Sequence, residues 1–265
     1  MPEMPEVEAV CRKLRRDAVG AKIVEARIER LRITTPQDPA EVEALATGRM
    51  IESVARRGKN ILIGLSGGLT MRVHLRMTGN LYVTGQAIRL PHVSAWFAFD
   101  DGRVLLFEDM RGLGTLTIGD DPEMLKGLGP EPLSRQFTAD AFIRSAAGLR
   151  QPAKLFLMDQ RRVAGLGNIY AAEALFRARI APRKPIGSVS RPKLRALHGA
   201  IVAIVREAVK SAVRAYARPG GFREAEDFPL AVYDREGEPC VVCAAPIRRV
   251  TQGARSTYFC PRCQR

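Results

Sequence analysis

Near its carboxyl end the chain reads CVVCAAPIRRVTQGARSTYFCPRC over residues 240–263, a stretch that holds four of the five cysteines. The four form two close pairs, Cys240 with Cys243 and Cys260 with Cys263, and sixteen residues separate the pairs. Each pair can supply two thiolates to one side of a tetrahedral ion, and a hairpin between them brings both sides together. The spacing therefore predicts a C-terminal β-hairpin zinc finger that holds one structural Zn²⁺ ion.

The same cysteines have an alternative interpretation as two disulfides of a secreted domain. That interpretation requires an oxidising compartment, and the chain shows no hydrophobic signal region behind a basic start. The chain also shows no run of about 18 apolar residues, so we expect no membrane association and a cytoplasmic location. The fifth cysteine, Cys11, is interpreted as a small buried apolar residue.

Outward from the cysteines, the residues between the two pairs are strongly basic. Five of them are predicted to lie at the tip of the hairpin, where they could bind a backbone phosphate. They are Arg248, Arg249, Gln252, Gly253 and Arg255. The 265-residue chain has 42 Lys+Arg against 28 Asp+Glu, a formal charge of +14. This balance is typical of proteins that bind nucleic acid, and a solvated basic hairpin is the alternative.

Helical patterns precede the finger. Apolar residues at helical spacing predict helices over residues 139–146, 153–159, 169–177 and about 192–217. Between the second and third of these helices, the segment Gly165-Leu166-Gly167-Asn168 predicts a glycine-rich turn whose backbone N–H groups suit a phosphate. A tight packing turn is the equal alternative for these glycines.

Strand patterns dominate the first half of the chain, behind an amphipathic helix predicted from Pro5 to about Gly20. Two turn signals, Ser66-Gly67-Gly68 and Asp101-Gly102, are each flanked by strand-like runs and therefore predict hairpins. The predicted strands cover residues 61–65, 69–75, 95–100 and 103–107.

These patterns divide the chain into three parts and predict a multidomain α+β protein. An N-terminal antiparallel β-sandwich with an N-terminal helix is expected over residues 1–128. A helical helix-two-turn-helix domain follows over residues 129–225, and the zinc-finger module occupies residues 226–265. We expect the protein to be a monomer.

The N-terminus reads Met1-Pro2-Glu3-Met4-Pro5-Glu6. Removal of Met1, which a small second residue allows, would leave the secondary amine of Pro2 beside two carboxylates. An α-amino group has an ordinary pKa of about 7.7–8.0, so an appreciable fraction is neutral and nucleophilic near physiological pH. Pro and Glu also suit the first turn of a helix, so these residues have a purely structural interpretation as well.

Together with these features, motifs spread over the whole chain resemble those of formamidopyrimidine-DNA glycosylases, within the Fpg/Nei family of base-excision repair enzymes. The motifs, in family order, are Pro2-Glu3 with Pro5-Glu6-Val7-Glu8, Lys59 after Arg56-Arg57-Gly58, His74-Leu75-x-Met77-Thr78-Gly79, residues 165–175, and the zinc ribbon ending Cys260-Pro-Arg-Cys263-Gln264. The resemblance implies a bifunctional DNA glycosylase and abasic-site lyase that acts on double-stranded DNA containing damaged bases or abasic sites. Such a protein is expected at the nucleoid when bound to DNA.

The resemblance also implies catalytic roles. Pro2 would attack C1′ of the damaged nucleotide and form a Schiff base, followed by β- and δ-elimination. Glu3 would be the acid/base group at the sugar ring oxygen. Glu6 is expected near the flipped base and the amine, and Lys59 is expected in the catalytic cleft near the lesion phosphates, with an ordinary surface lysine as the alternative.

Further residues match the DNA contacts of the family. Asn168 and Arg255 match residues that hold phosphates beside the extruded nucleotide, and His74 belongs to a DNA-binding motif. Met77, Arg111 and Leu113 match the residues that fill the gap left by the extruded base. Asp159 and Gln160 match a pair for which we expect a structural role.

The chain departs from the family pattern at several positions. The usual Asp-Pro-Arg-Arg-Phe-Gly loop reads Asp109-Met110-Arg111-Gly112-Leu113-Gly114, so a second arginine and an aromatic wedge are missing. Arg76 replaces the usual glycine, where it could add a phosphate contact or alter the loop. The segment over residues 220–229 is short for a loop that caps a flipped purine.

These departures leave the preferred lesion and the opposite base open. They also leave two other hypotheses: a catalytically silent damaged-DNA-binding protein on the same scaffold, and a general zinc-ribbon nucleic-acid protein. Retention of Pro2, Glu3, Glu6 and Lys59 together favours the enzyme over both.

Overall fold

The computed structural model describes residues 2–85, 91–119, 125–217 and 225–265. The chain forms two compact units. The first comprises residues 1–126 and 212–224, and the second comprises residues 127–211 and 225–265.

The first unit is an antiparallel β-sandwich with helices. Its helices are α1 (Met4–Asp17) and α2 (Pro39–Ala46), and a 3₁₀ turn covers Leu31–Thr34. Its strands are β1 (Ile23–Ile28), β2 (Ile51–Arg57), β3 (Asn60–Leu65), β4 (Leu69–His74), β5 (Gly79–Thr84), β6 (Val93–Phe99), β7 (Val104–Asp109) and β8 (Thr115–Gly119). One sheet has the order β1-β6-β7-β5 and the other has the order β2-β3-β4-β8. The predicted β-sandwich is thus confirmed.

Alternating apolar residues explain how the two sheets pack. Ile61, Ile63 and Leu65 of β3 are buried, and every second residue of β4 faces the same core. Helix α1 covers this core with Val7, Val10 and Leu14, which lie on one helical face. Cys11 is fully buried among them, as predicted, and burial raises the pKa of its thiol to about 12.

The second unit is mainly helical and ends in a β-hairpin. Its helices are α3 (Ala139–Ala146), α4 (Ala153–Met158), α5 (Asn168–Arg177) and most of α6 (Arg191–Tyr216), and a second 3₁₀ turn covers Ile186–Ser188. The hairpin strands are β9 (Arg248–Gln252) and β10 (Arg255–Phe259), paired in antiparallel register. The four helices predicted for this part of the chain are present, with ends within two residues of the prediction.

Two further observations bear on the predicted organisation. Within the described ranges the structure contains no helix that is both long enough and apolar enough to cross a membrane. Of the short segment over residues 220–229, residues 220–224 lie outside the described residues.

Candidate functional site

The N-terminal carboxylates form the cap of α1. The backbone N–H of Glu3 donates to Oε2 of Glu6 at 2.8 Å, and the side chain of Glu3 accepts from the backbone N–H of Glu6. This reciprocal capping box satisfies two backbone donors that a helix start leaves open. Both side chains are almost inaccessible, at 1% and 0% exposure, and Pro2 directly before them is buried. These residues therefore form the start of a helix, as their structural interpretation predicts, and the turn also fixes two carboxylates beside Pro2.

A second set of contacts leads from α1 to Lys59. Arg56 donates from Nε to Oε2 of Glu8 at 3.1 Å and from Nη1 to the carbonyl of Gly58 at 2.8 Å. Burial acts to raise the pKa of Glu8, but hydrogen bonds from Arg12 and Arg56 outweigh it and hold the pKa below its usual value. Gly58 has a φ of +58°, which lets β2 and β3 join through a two-residue turn. Lys59 is buried in that turn.

His74 ends β4 close to several cations. Its Nδ1 accepts the backbone N–H of Arg76 at 3.0 Å. Burial lowers the pKa of His74 to about 4, and the positive charges of Arg76, Lys59 and Arg72 contribute to that lowering. The imidazole is therefore neutral at pH 7 with its proton on Nε2, where it can donate to an anion. The structure thus brings His74 and Lys59, two of the predicted site residues, into electrostatic contact.

Met77 lies at the tip of the β4–β5 connection. The N–H of Gly79 donates to the carbonyl of Leu75 at 2.9 Å, and a Cβ at Gly79 would collide with that oxygen. Only glycine therefore permits this tight closure. The closure leaves the side chain of Met77 39% exposed, which is unusual for a methionine beside a core strand.

The loop that carries Arg111 and Leu113 is joined to the Met77 loop through one carboxylate. Buried Asp109 accepts from Thr78 Oγ1 at 2.5 Å, from the N–H of Arg111 at 3.2 Å and from the N–H of Gly114 at 2.7 Å. Thr78 Oγ1 also accepts from the N–H of Arg111 at 3.1 Å. The structure thus brings the three predicted gap-filling residues onto two linked loops, with Leu113 40% exposed and Arg111 exposed.

Gly112 shows how the altered loop is accommodated. Its φ of +58° lies in the left-handed region, and Nη1 of Arg30 lies where a Cβ would crowd it. Arg32 donates from Nε to the carbonyl of Gly112 at 2.6 Å and from Nη2 to that of Arg111 at 3.0 Å. The sequence patterns do not reveal these two arginines, because the loop they contact lies about 80 residues away.

In the second unit, Gln160 holds the glycine-rich turn. Its Oε1 accepts the N–H of Gly165 at 2.8 Å, and its Nε2 donates to the carbonyl of Leu166 at 2.7 Å. Asp159 accepts from the backbone and guanidinium of Arg161. The expected structural role of Gln160 is therefore visible in its hydrogen bonds.

Asn168, the first residue of α5, connects that helix to the hairpin. Its Nδ2 donates to the carbonyl of Ser256 at 3.1 Å and to the hydroxyl of Tyr233 at 3.4 Å, while its buried Oδ1 has no hydrogen-bond partner. The amide donors thus already face β10, and contact with a phosphate stays a prediction.

Lys154 is a buried cation that the sequence patterns do not reveal. It is 0% exposed, and its Nζ donates to the carbonyl of Ser256 at 2.9 Å and to Oγ1 of Thr257 at 2.5 Å. A buried lysine is costly unless its donors are satisfied, so these bonds indicate a specific role in holding β10 against α4. A single lysine in a short apolar helix carries no signal that would have distinguished it.

The four finger cysteines converge as predicted. Their sulfurs all lie within 4.8 Å of one another, with Cys240 and Cys263 3.9 Å apart and Cys243 and Cys260 3.5 Å apart. Tetrahedral thiolate ligation of zinc at about 2.3 Å needs sulfur–sulfur distances of about 3.8 Å. The backbone N–H groups of Val242 and Cys263 also donate to ligand sulfurs. This donor set fits one structural zinc ion, which would join the two ends of the hairpin.

The segment before the finger is held by a buried carboxylate on α5. Glu173 accepts the backbone N–H groups of Ala231, Val232 and Tyr233, each at 2.9 Å. Three donors on one carboxylate fix the path of the chain into the finger. Tyr233 in turn contacts Tyr258 of β10 edge to face.

The hairpin tip agrees with the prediction except at one residue. Arg248, Arg249 and Arg255 are exposed, and Arg249 pairs with Glu236 at 2.7 Å. Gln252, however, was predicted to lie outward and is buried, with its Nε2 donating to the carbonyl of Pro182 at 3.4 Å. Alternation along β9 directs its side chain inward, so it supports the tip instead of extending from it.

Three family models match the chain in succession. Residues 1–116 match the formamidopyrimidine-DNA glycosylase N-terminal domain, residues 128–217 match the formamidopyrimidine-DNA glycosylase H2TH domain, and residues 237–265 match the zinc finger found in FPG and IleRS. Together these matches cover most of the chain.

Individual relatives give the same result. The chain is 41% identical to a formamidopyrimidine-DNA glycosylase of Chloroflexus aggregans over 272 residues, covering 100% of this chain and 98% of that protein. It is 40% identical to that of Thermus thermophilus over 276 residues, with the same coverage.

Two solved structures of Lactococcus lactis Fpg, one with DNA that contains an abasic site and one with DNA that contains Fapy-dG, superpose with a TM-score of 0.90 each. Both are 31% identical to this chain, and each superposition covers 99% of both chains. Because the family models match most of the chain and relatives of about 40% identity align over its whole length, this chain belongs to the formamidopyrimidine-DNA glycosylase family.

Proposed function

We propose that this protein is a base-excision repair DNA glycosylase with abasic-site lyase activity, and that the amine of Pro2 is its nucleophile. The observation that carries the proposal is the capping turn: it fixes the carboxylates of Glu3 and Glu6 directly after Pro2, in almost complete burial. Burial strengthens the electrostatic effect of these carboxylates on a neighbouring amine. The capping of α1 by Glu3 and Glu6 does not by itself require a proline at position 2.

The substrate is proposed to be duplex DNA with a damaged base or an abasic site. The L. lactis relatives were solved with such DNA. The charge of +14 and the exposed arginines of the hairpin tip support electrostatic binding to the DNA backbone. Asn168 and Arg255 are proposed to hold phosphates beside the lesion.

The chemistry follows from the groups at the N-terminus. The nitrogen of Pro2 attacks C1′, and the bond from C1′ to the base breaks as the base leaves with a proton. Glu3 delivers a proton to the ring oxygen, which opens the sugar and leaves an iminium ion between Pro2 and C1′. Loss of a 2′ proton then expels the 3′ phosphate, and a second elimination expels the 5′ phosphate.

Other residues position the DNA for that step. Lys59 and neutral His74, which lie in electrostatic contact, are proposed to bind phosphates near the lesion. Met77 and Leu113 are proposed to fill the gap in the duplex, and Arg111 is proposed to donate to the unpaired partner base. Zinc supplies folding free energy to the hairpin and takes no part in the reaction.

Borohydride trapping tests the role of Pro2. The mature protein should form a covalent complex with an abasic-site duplex. Retention of Met1, which places the Pro2 nitrogen in a peptide bond, should reduce trapping by at least about a hundredfold, whereas Pro2→Gly keeps a primary amine and should reduce trapping less. Pro5→Ala, which changes the other proline of this turn, is the matched control and should trap normally.

Full trapping by the protein that retains Met1 would show that an amine other than that of Pro2 reacts. Tight binding of lesion DNA by the unmodified protein without any trapping would instead favour a silent damaged-DNA-binding protein. A cleavage panel of 8-oxoguanine, formamidopyrimidine and oxidised-pyrimidine duplexes, each opposite all four bases, then assigns the lesion.

A further inference from the structure

Arg76 has a backbone conformation that is unfavourable for its residue type. Its φ of +53° lies in the left-handed region, where a Cβ approaches the following carbonyl oxygen too closely and glycine is favoured. The side chain of Arg76 is exposed and, within the described parts of the chain, makes no hydrogen bond or ion pair.

Arg72 lies on the same face of β4 as His74, two residues before it. It is half-buried, and its Nε is shielded from solvent without a hydrogen-bond partner. Burial lowers the pKa of Arg72, and the positive charge of Arg76 lowers it further. No carboxylate in the described residues forms an ion pair with either arginine.

The arrangement is therefore a group of like charges around a neutral imidazole. Arg72 and Arg76 both act on His74, and Lys59 acts on it as well. Like charges at close range destabilise the unbound protein, and a bound anion would remove that cost. A guanidinium suits a phosphate because its N–H groups match two oxygens at once.

We propose that Arg72 and Arg76 add two guanidinium groups to the phosphate contact proposed for the Nε2–H of His74, so that the three residues together bind a DNA backbone phosphate. The inference rests on the proposed function in taking duplex DNA as the ligand and His74 as a phosphate contact. The left-handed conformation of Arg76 persists, on this view, because its charge is used in binding.

Arg76→Gly tests the site with opposite effects on binding and stability. Glycine relieves the backbone, so the melting temperature should stay the same or rise. Affinity for a duplex with a tetrahydrofuran abasic analogue should fall about three- to tenfold at low salt, and the slope of log K against log salt should fall by about one phosphate. Arg72→Met should give the same change in slope.

Arg27→Ala is the matched control, because Arg27 is an exposed arginine of β1 that pairs with Glu25 and Glu43. It removes the same formal charge and should leave the slope unchanged. An unchanged slope in Arg76→Gly, or an equal change in Arg27→Ala, would overturn the proposed site. Borohydride trapping at saturating protein reports separately on Pro2, so failure of trapping does not affect the comparison of slopes.

Discussion

The loop around Asp109 and the hairpin of the zinc finger both present exposed residues, but different chemistry holds them in place. The loop depends on one buried carboxylate that accepts from Thr78, Arg111 and Gly114. The hairpin depends on four sulfurs that converge on one point, with Lys154 and Glu173 bracing it from α4 and α5. Directional hydrogen bonds hold the Asp109 loop in place, whereas metal ligation supported by packing holds the hairpin.

The difference teaches where each region can vary. A loop held through its backbone donors leaves its exposed side chains, those of Met110, Arg111 and Leu113, free to vary. A hairpin held by ligands loses its whole shape when a ligand is lost. Substitution of a cysteine ligand or of Asp109 should therefore have a larger effect than substitution of an exposed side chain of the loop.

The largest effect is expected on loss of zinc. Cys260→Ala, at a buried ligand, should abolish metal binding, remove hydrogen-exchange protection over residues 248–259, and weaken binding to an abasic-analogue duplex at least about tenfold. Cys11→Ala removes a buried cysteine that is not a ligand and should keep the zinc content and the protection. Unchanged protection of the hairpin in zinc-free protein would show that packing on α5 alone is sufficient.

An intermediate effect is expected at Asp109. Asp109→Ala leaves the Thr78 hydroxyl and the N–H of Gly114 without an acceptor, while the N–H of Arg111 keeps Thr78 Oγ1. The substitution should lower the free energy of unfolding by about 3 kcal/mol, measured by urea denaturation. Discrimination between opposite bases should also decrease, because the backbone N–H of Arg111 loses one of its two acceptors. Asp101→Ala, at an exposed aspartate that bonds to Arg103, is the control and should leave both properties nearly unchanged. Retained discrimination in Asp109→Ala would mean that Arg30 and Arg32 hold the loop without the carboxylate.

The smallest effect is expected at the exposed end of the same loop. Leu113→Phe adds an aromatic face and should tighten binding to lesion duplex about fivefold without a change in stability, because the side chain is already half exposed. Met110→Phe adds similar area at a more exposed neighbouring position and should give little gain. Equal gains in affinity at both positions would indicate non-specific hydrophobic binding and not insertion of residue 113 into the duplex.

Local signals accounted for much of the fold. Glycine-containing turns at Ser66-Gly67-Gly68 and Asp101-Gly102 predicted two hairpins, and both pairs are present. Strands β1, β2, β5 and β8 were not predicted. In β1 and β2 an irregularity in register disturbs the alternation of apolar residues. Charged residues in β2 weaken its strand pattern further.

The candidate site divides in the same way. The cysteines carry their signal in their spacing, so the zinc site was predicted in full. Asp109, Lys154 and Glu173 carry no such signal, because each is a single charged residue whose partners lie between 2 and 103 residues away in sequence. Gln252 was assigned the wrong side of its strand because sequence alone does not fix which face of a short hairpin packs against the protein.

The capping turn of α1 limits how an inactive descendant of this enzyme could arise. Glu3 and Glu6 each hold the backbone of the other, so replacing either with a shorter or apolar residue removes a proposed catalytic group and also frays the first turn of a helix that covers the core. A substitution that abolishes activity at Glu3 or Glu6 therefore also lowers the stability of the fold. A descendant that keeps the scaffold as a DNA-binding protein would therefore change first at Pro2 or Lys59, and retain its two acidic residues as evidence of its ancestry.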